Sequence, residues 1–301
     1  MLGYLFPGQG TVRVGMGAWL RRRPVARAVL DEVDELLARP ISALCVRGPL
    51  DRLVATEHAQ IAVTACNLAA LAVLEEEGFE PDIVAGHSVG ELAALHAAGV
   101  LGRADTVRLV ETRSRLMSGV GVTGGMRAVM GLPVERVEEL AALAGTAEEP
   151  LVVGLENAPG HVVVSGSPAA LDRLAELATD ASKIVQLAVG NAFHSPLMAA
   201  AVPGWAEAVR AAPMSPPRVP VVPNVTGRPT TDLELIRDSL IAQLTGRVRW
   251  TDTVAVVDAL GPAVEVGDSK VLAGLSRRTG ARCLSMADPG TLRRLAREPA
   301  A

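Results

Sequence analysis

The sequence predicts an α/β fold in which a parallel-sheet core carries an inserted ferredoxin-like subdomain. Three observations carry that expectation. Short apolar runs alternate with helix-period stretches over residues 3–119, as in a parallel sheet joined by helical crossovers. Residues 124–191 then change to a strand–helix–strand–strand–helix–strand order, the ferredoxin-like arrangement. Apolar residues make up 49% of the chain, enough for a large core, and with three Trp, one Tyr and three Phe that core must be aliphatic.

"GYLF" (3–6) reads as a buried strand, followed by the loop PGQG and a helical stretch. The apolar run "IAVTACNLAALAVL" (61–74) is too short to cross a bilayer and reads as a buried helix. "PDIVAG" (81–86) is the next strand, and residues 89–99 form the helix after it. "RADTVRLVETRSRLMSG" (103–119) has helical spacing, with Arg113 inside the pattern.

Within the insert, "MRAVMGL" is a strand and "VERVEELAALAG" a helix. "LVVGLENAPGHVVVSG" is a hairpin turned by Asn157, Pro159 and Gly160. "SPAALDRLAELATDA" is the second helix and "KIVQLAV" the last strand. The expected division is residues 1–123 with 192–301 for the large domain, and 124–191 for the small one. The Pro-rich "APMSPPRVPVVPNVTGRP" (212–229) reads as an extended crossover leading into the strand-like "VPVVPNV".

A net charge of −4 argues against a general nucleic-acid binder. The start "MLGYLFPGQG" has no basic segment or cleavage site, so the expectation is a cytoplasmic protein without targeting segment or membrane anchor. Cys45, Cys66 and Cys283 are odd in number and without metal-type spacing. They read as buried free thiols in a reducing compartment, and no metal site is expected.

The chemistry centres on "VAGHSVGELAALHAAG" (84–99). Ser88 is either a helix N-cap, with Glu91 completing a capping box, or a nucleophile on a sharp strand-to-helix turn. In the second reading the flanking glycines allow the turn and the Val89 N–H points to where an oxyanion forms. A serine nucleophile needs a base. His87 points away on such a turn, His58 and His96 lie in helical patterns, and His161 follows the hairpin turn. His194, in "GNAFHSPLM", sits where the small subdomain returns to the large one, as a base facing a cleft or as a structural histidine.

The chain resembles the malonyl-CoA:acyl-carrier-protein transacylase family, which includes the acyltransferases of polyketide synthases. The matching motifs run in the family's order: "FPGQG" (6–10), "TEHAQIA" (56–62), "GHSVGE" (86–91), "ETRSRLM" (111–117), "ENAPGHVVVSG" (156–166), "AFHSPLM" (192–198), "NVTGRP" (224–229), "QLTGRVRW" (243–250) and "EVGDSKVLAGL" (265–275). The resemblance implies an α/β-hydrolase-like large domain with the ferredoxin-like insert. It makes Ser88 the nucleophile and His194 the base. Gln9 and Val89 become main-chain donors to the oxyanion, and the Gln243 carbonyl orients the histidine. Arg113 matches the residue that grips the free carboxylate of a malonyl-type group, with a planar fork that lysine lacks. Gln60 and Asn157 match further polar positions of the site. Phe193 and Val89 match members that take an unbranched malonyl group, with Phe193 as a wall of the acyl pocket.

The implied activity is transfer of a malonyl-type group from coenzyme A to the phosphopantetheine of an acyl carrier protein. Coenzyme A thioester is then substrate, the phosphopantetheine belongs to the partner, and no permanent cofactor is expected. The departures are Val12 in "GQGTV", His161 before the VVVSG strand, and Asp268 and Ser269 in "EVGDS". They point to a specialised enzyme of polyketide or secondary metabolism. The alternatives are a carrier-to-carrier acyltransferase, an editing thioesterase, and a catalytically idle docking module. Arg21–Arg22–Arg23 and Arg277–Arg278 are the clusters suited to an acidic carrier.

Overall fold

The computed structural model describes residues 1–297. In chain order the strands are β1 (Gly3–Phe6), β2 (Ile83–Gly86), β3 (Gly125–Met130), β4 (Leu151–Ala158), β5 (His161–Gly166), β6 (Lys183–Gln186), β7 (Val221–Val222), β8 (Val248–Arg249), β9 (Ala263–Glu265) and β10 (Cys283–Ser285). They form two sheets. The first has the order β10-β9-β1-β2-β7, with every pair parallel. Its central strand is buried at all four positions, as expected for a sheet covered by helices on its faces.

The helix Thr56–Glu76 is the longest among the described residues, and it is longer than the apolar run alone suggested. Its 21 residues would suffice in length and composition to cross a membrane, but its most apolar window is 94% buried inside the fold. Helices Pro24–Leu37 and Arg103–Ser118 pack along it. A helix that is apolar on every side needs such cover.

In the second sheet the order is β6-β3-β5-β4-β8. The first four strands follow the ferredoxin-like order, antiparallel throughout, and helices Val134–Ala144 and Pro168–Leu177 enclose a separate small core with them. The fifth strand comes from outside the insert: β8 pairs parallel with β4. Two residues are too few to show a hydrophobic period, which is why this strand escapes sequence reading.

Other differences are local. "VPVVPNV" contributes only Val221–Val222, because Pro220 and Pro223 on either side have no N–H for a ladder. The hairpin turns at Pro159–Gly160, with Gly160 at φ 67, and Asn157 belongs to β4 instead of the turn. Cys45 and Cys66 are buried free thiols, while Cys283 is half-buried.

Two glycines set how closely the sheet and its helix approach. A Cβ on Gly86 would lie 2.0 Å from the Gly90 carbonyl carbon, and one on Gly90 would lie 2.2 Å from the Phe6 oxygen. Both contacts are with backbone, which cannot swing aside. Gly90→Ala is therefore expected to lower stability by more than about 3 kcal/mol. Gly10→Ala, where a Cβ meets nothing within 4 Å, should stay within about 0.5 kcal/mol of the parent. Urea denaturation of the two variants checks this, and equal midpoints would contradict it.

Candidate active site

β1 and β2 end in register, with Phe6 opposite Gly86, so the loops PGQG and GHSVG lie side by side beyond the carboxyl end of the sheet. That edge is where open α/β sheets build their sites. A Cβ on Gly8 would sit 2.5 Å from the His87 carbonyl oxygen, so the loops touch through backbone. Gln9 opens a short 3-10 turn, Gln9–Thr11, and its side-chain amide donates to Thr56 Oγ1 at 3.4 Å. Val89 follows Ser88 at the head of helix Gly90–Ala97. The main-chain amides of Gln9 and Val89 thus lie on adjoining loops.

Ser88 does not cap that helix. The cap position is Val89, without a side-chain bond, and Glu91 turns inward to Asn224 and Gln243. The capping-box reading fails because Ser88 stands at φ 54, far from the extended conformation of an N-cap. Left-handed φ at a non-glycine residue is strained and concentrates at functional sites; His194, at φ 58, shares it.

Ser88 Oγ lies 2.8 Å from His194 Nε2, and His194 Nδ1 lies 2.9 Å from the main-chain oxygen of Gln243. A carbonyl can only accept, so Nδ1 carries the proton and Nε2 keeps its lone pair for the serine hydroxyl. Burial, with the Arg113 charge beside it, pushes the His194 imidazole down to about 3. The ring is a neutral acceptor throughout the physiological range, and no carboxylate is required to orient it.

Asn224 staples the turn from behind. Its Oδ1 accepts from Ser88 N at 2.7 Å, and its Nδ2 donates to Gly86 O at 2.6 Å. Sequence reasoning passed over this residue, whose one signal is its place at the head of "NVTGRP".

Arg113 projects inward and is 1% exposed, whereas Arg108 and Arg115 on the same helix are exposed. Its Nη1 donates to Gln60 Oε1 at 2.5 Å, and its Nη2 to Gln243 Oε1 at 2.8 Å and to Ser88 Oγ at 3.3 Å. Nε is buried without a partner among the described residues. Burial lowers the guanidinium to about 10, so it stays charged at neutral pH.

Gln9, Gln60, Ser88, Arg113, Asn157, Phe193 and His194 all line one cavity of about 200 Å³. Val89 and Gln243 lie outside the lining and are buried. The remaining wall is mostly aliphatic, with Met117, Met126, Leu155 and Val163 among its residues. His87 corrects an expectation: it lines the same cavity, bonded through Nε2 to Asn157 Oδ1 at 2.8 Å and edge-on to Trp250 at 5.1 Å. Its partners Asn157 and Trp250 come from distant parts of the chain, so the local turn does not decide where residue 87 points.

The departures lie around this site. His161 lines the cavity. Asp268, almost fully buried, accepts from Gly17 N at 2.7 Å and from Arg13 Nη2 at 2.8 Å, which ties the stretch after the PGQG loop to the one after β9. Ser269 Oγ accepts from Val271 N at 3.0 Å. Val12 packs on the large core.

Residues 3–275 match the acyl transferase domain family. The chain belongs to that family. It is 33% identical to the malonyl CoA-acyl carrier protein transacylase of Bacillus subtilis, over 97% of this chain and 95% of that one. It is 36% identical to the polyketide biosynthesis malonyl CoA-acyl carrier protein transacylase PksC of the same organism, over 92% and 96%. Its fold superposes on the crystal structure of an acyl carrier protein S-malonyltransferase from Vibrio cholerae with a TM-score of 0.92 at 33% identity, covering 98% and 99% of the two chains. In this acyl transferase, Ser88, the neutral His194 ring and the buried Arg113 cation meet in one small chamber.

Because the His194 imidazole sits far below 6.5, its base form persists on acidification. Labelling of Ser88 by a fluorophosphonate should change less than about twofold between pH 8 and pH 5. An ordinary histidine would cost roughly thirtyfold over that range, and a fall of that size centred near 6.5 would contradict the buried neutral ring.

Proposed function

We propose that this acyltransferase moves a malonyl group from coenzyme A to the phosphopantetheine thiol of an acyl carrier protein, by a ping-pong route through Ser88. The observation that carries the reading is Arg113: a buried, charged fork whose Nη2 lies 3.3 Å from the Ser88 hydroxyl. A free carboxylate in that cavity gains charge-assisted bonds worth roughly 1.5–3 kcal/mol, which an acetyl group forgoes.

Ser88 Oγ attacks the thioester carbonyl while its proton passes to His194 Nε2. The Gln9 and Val89 amides stabilise the oxyanion, and the Gln243 carbonyl stabilises the imidazolium through Nδ1–H. The intermediate collapses by breaking the carbon–sulfur bond, and coenzyme A leaves as the thiol with the proton from His194. The carrier thiol then gives its proton to His194 and attacks the ester, and Ser88 recovers the proton as it departs. Phe193 and the apolar wall shape the chamber around the acyl group. Gln60 steadies Arg113, and Asn157 stands at the chamber wall bonded to His87.

Coenzyme A thioester and carrier-borne phosphopantetheine are both substrates in this scheme, so the chemistry uses no resident cofactor. Of the two arginine clusters, Arg277–Arg278 suits the carrier better. It ends helix Val271–Arg278, whose Val271, Leu272 and Leu275 line the chamber, whereas Arg23 is occupied by Glu76 and Glu77. A polyketide setting is supported by the likeness to PksC and by the departures at Val12, His161, Asp268 and Ser269. Free Cys45, Cys66 and Cys283 favour the reducing cytoplasm.

Incubation with malonyl-CoA should give a malonyl adduct by intact mass, absent in Ser88→Ala; no adduct on the parent protein would overturn the reading. A panel including longer acyl donors and free carrier distinguishes transfer from hydrolysis. Arg113→Ala should lower malonyl loading by about tenfold to a hundredfold and leave acetyl loading nearly unchanged.

A further inference from the structure

We propose that Glu91 is a positioning residue that selects for carboxylated acyl groups, by holding the Gln243 side-chain amide with its oxygen toward Arg113. The inference rests on the reading that the site takes a malonyl-type group. Glu91 is fully buried in the first turn of the helix behind Ser88 and is not among the residues that line the cavity.

Its Oε2 accepts from Gln243 Nε2 at 2.7 Å and from Asn224 N at 3.0 Å. An ionised carboxylate can only accept, so the amide nitrogen of Gln243 must face it. The amide oxygen then has one direction left, and it meets Arg113 Nη2 at 2.8 Å. The same nitrogen reaches the Ser88 carbonyl, but at 3.1 Å and without charge assistance, so the carboxylate is the stronger key. With Gln60 Oε1 on Nη1, two amide oxygens fix the guanidinium plane while Nη2 reaches toward Ser88. If the Gln243 amide turned over, its NH₂ would confront the cation and Arg113 would lose half of that hold.

Burial pushes the Glu91 carboxyl up to about 7, against the pull of the Asn224 and Gln243 bonds and the Arg113 charge. Work at pH 8 keeps it ionised. Gln243 has two separable duties: its main-chain oxygen serves His194, and only its side chain depends on Glu91.

Glu91→Gln keeps the shape but lets residue 91 donate, so the Gln243 amide is free to turn. Ser88 loading from malonyl-CoA and acetyl-CoA is measured by intact mass at pH 8 across donor concentrations. The expected result is an about tenfold fall in the malonyl-to-acetyl preference, through a raised malonyl KM, with acetyl kcat/KM within about twofold. Gln243→Leu, which keeps the main-chain carbonyl, should lower the preference similarly, and Glu91→Gln added to it should change nothing further. A parallel loss for both donors, an unchanged preference, or additive effects in the double variant would overturn the proposal. Parent protein that takes no malonyl group would instead overturn the reading beneath it.

Discussion

Ser88 is held at φ 54 between a strand that ends at Gly86 and a helix that starts at Gly90. The reversal exists because Gly90 rests against the Phe6 carbonyl and Gly86 against the backbone of Gly90 itself, approaches that any side chain would block. Asn224 closes the turn by bonding both Ser88 N and Gly86 O. With this backbone set, the hydroxyl stands beyond the carboxyl end of the sheet and the PGQG loop is brought alongside. Strain concentrated at one residue is tolerated because its surroundings are packed glycine, main-chain carbonyl and one buried amide.

Around that turn the molecule buries one charge in the chamber wall and another behind it, with amides as intermediaries. Arg113 and Glu91 do not bond directly; Gln243 lies between them, accepting from one and donating to the other. Isolated buried charges are costly, and the directed bonds through Gln243 offset part of that cost while fixing orientation. The arrangement contributes less to stability than to geometry, since buried ion networks are often no more stable than apolar replacements. Gln243 also supplies the carbonyl that sets the His194 tautomer. One glutamine therefore links His194, the Ser88 turn and Arg113.

Much of this was legible from residues alone. The strand–loop–helix around GHSVG has a strong local signal, because apolar period, glycine spacing and a following helix agree. The hairpin and the two amphipathic helices of the insert are equally local. The role of Glu91 stayed open between two readings, since a Ser followed three residues later by Glu has the same appearance whether the carboxylate reaches back to the helix start or into the core. His87 was expected to point away on the turn, but its ring is drawn to the cavity by Asn157 and Trp250, which lie far away in sequence. Asn224 carried no chemistry in its own neighbourhood, as its partners lie more than a hundred residues away in sequence.

By itself the sequence determined the alternation of elements, the glycines that allow the elbow, and the presence of a serine, a histidine and an arginine in the family's order. Those depend on local backbone preference and short-range pattern, which are written in adjacent residues. Tertiary structure alone decided that His194 is buried and neutral, that Arg113 faces inward unlike Arg108 and Arg115, and that β8 joins the second sheet. It also decided that Glu91, Asn224 and Gln243 converge behind Ser88. Desolvation and hydrogen-bond direction depend on neighbours supplied by distant parts of the chain, so no local pattern encodes them.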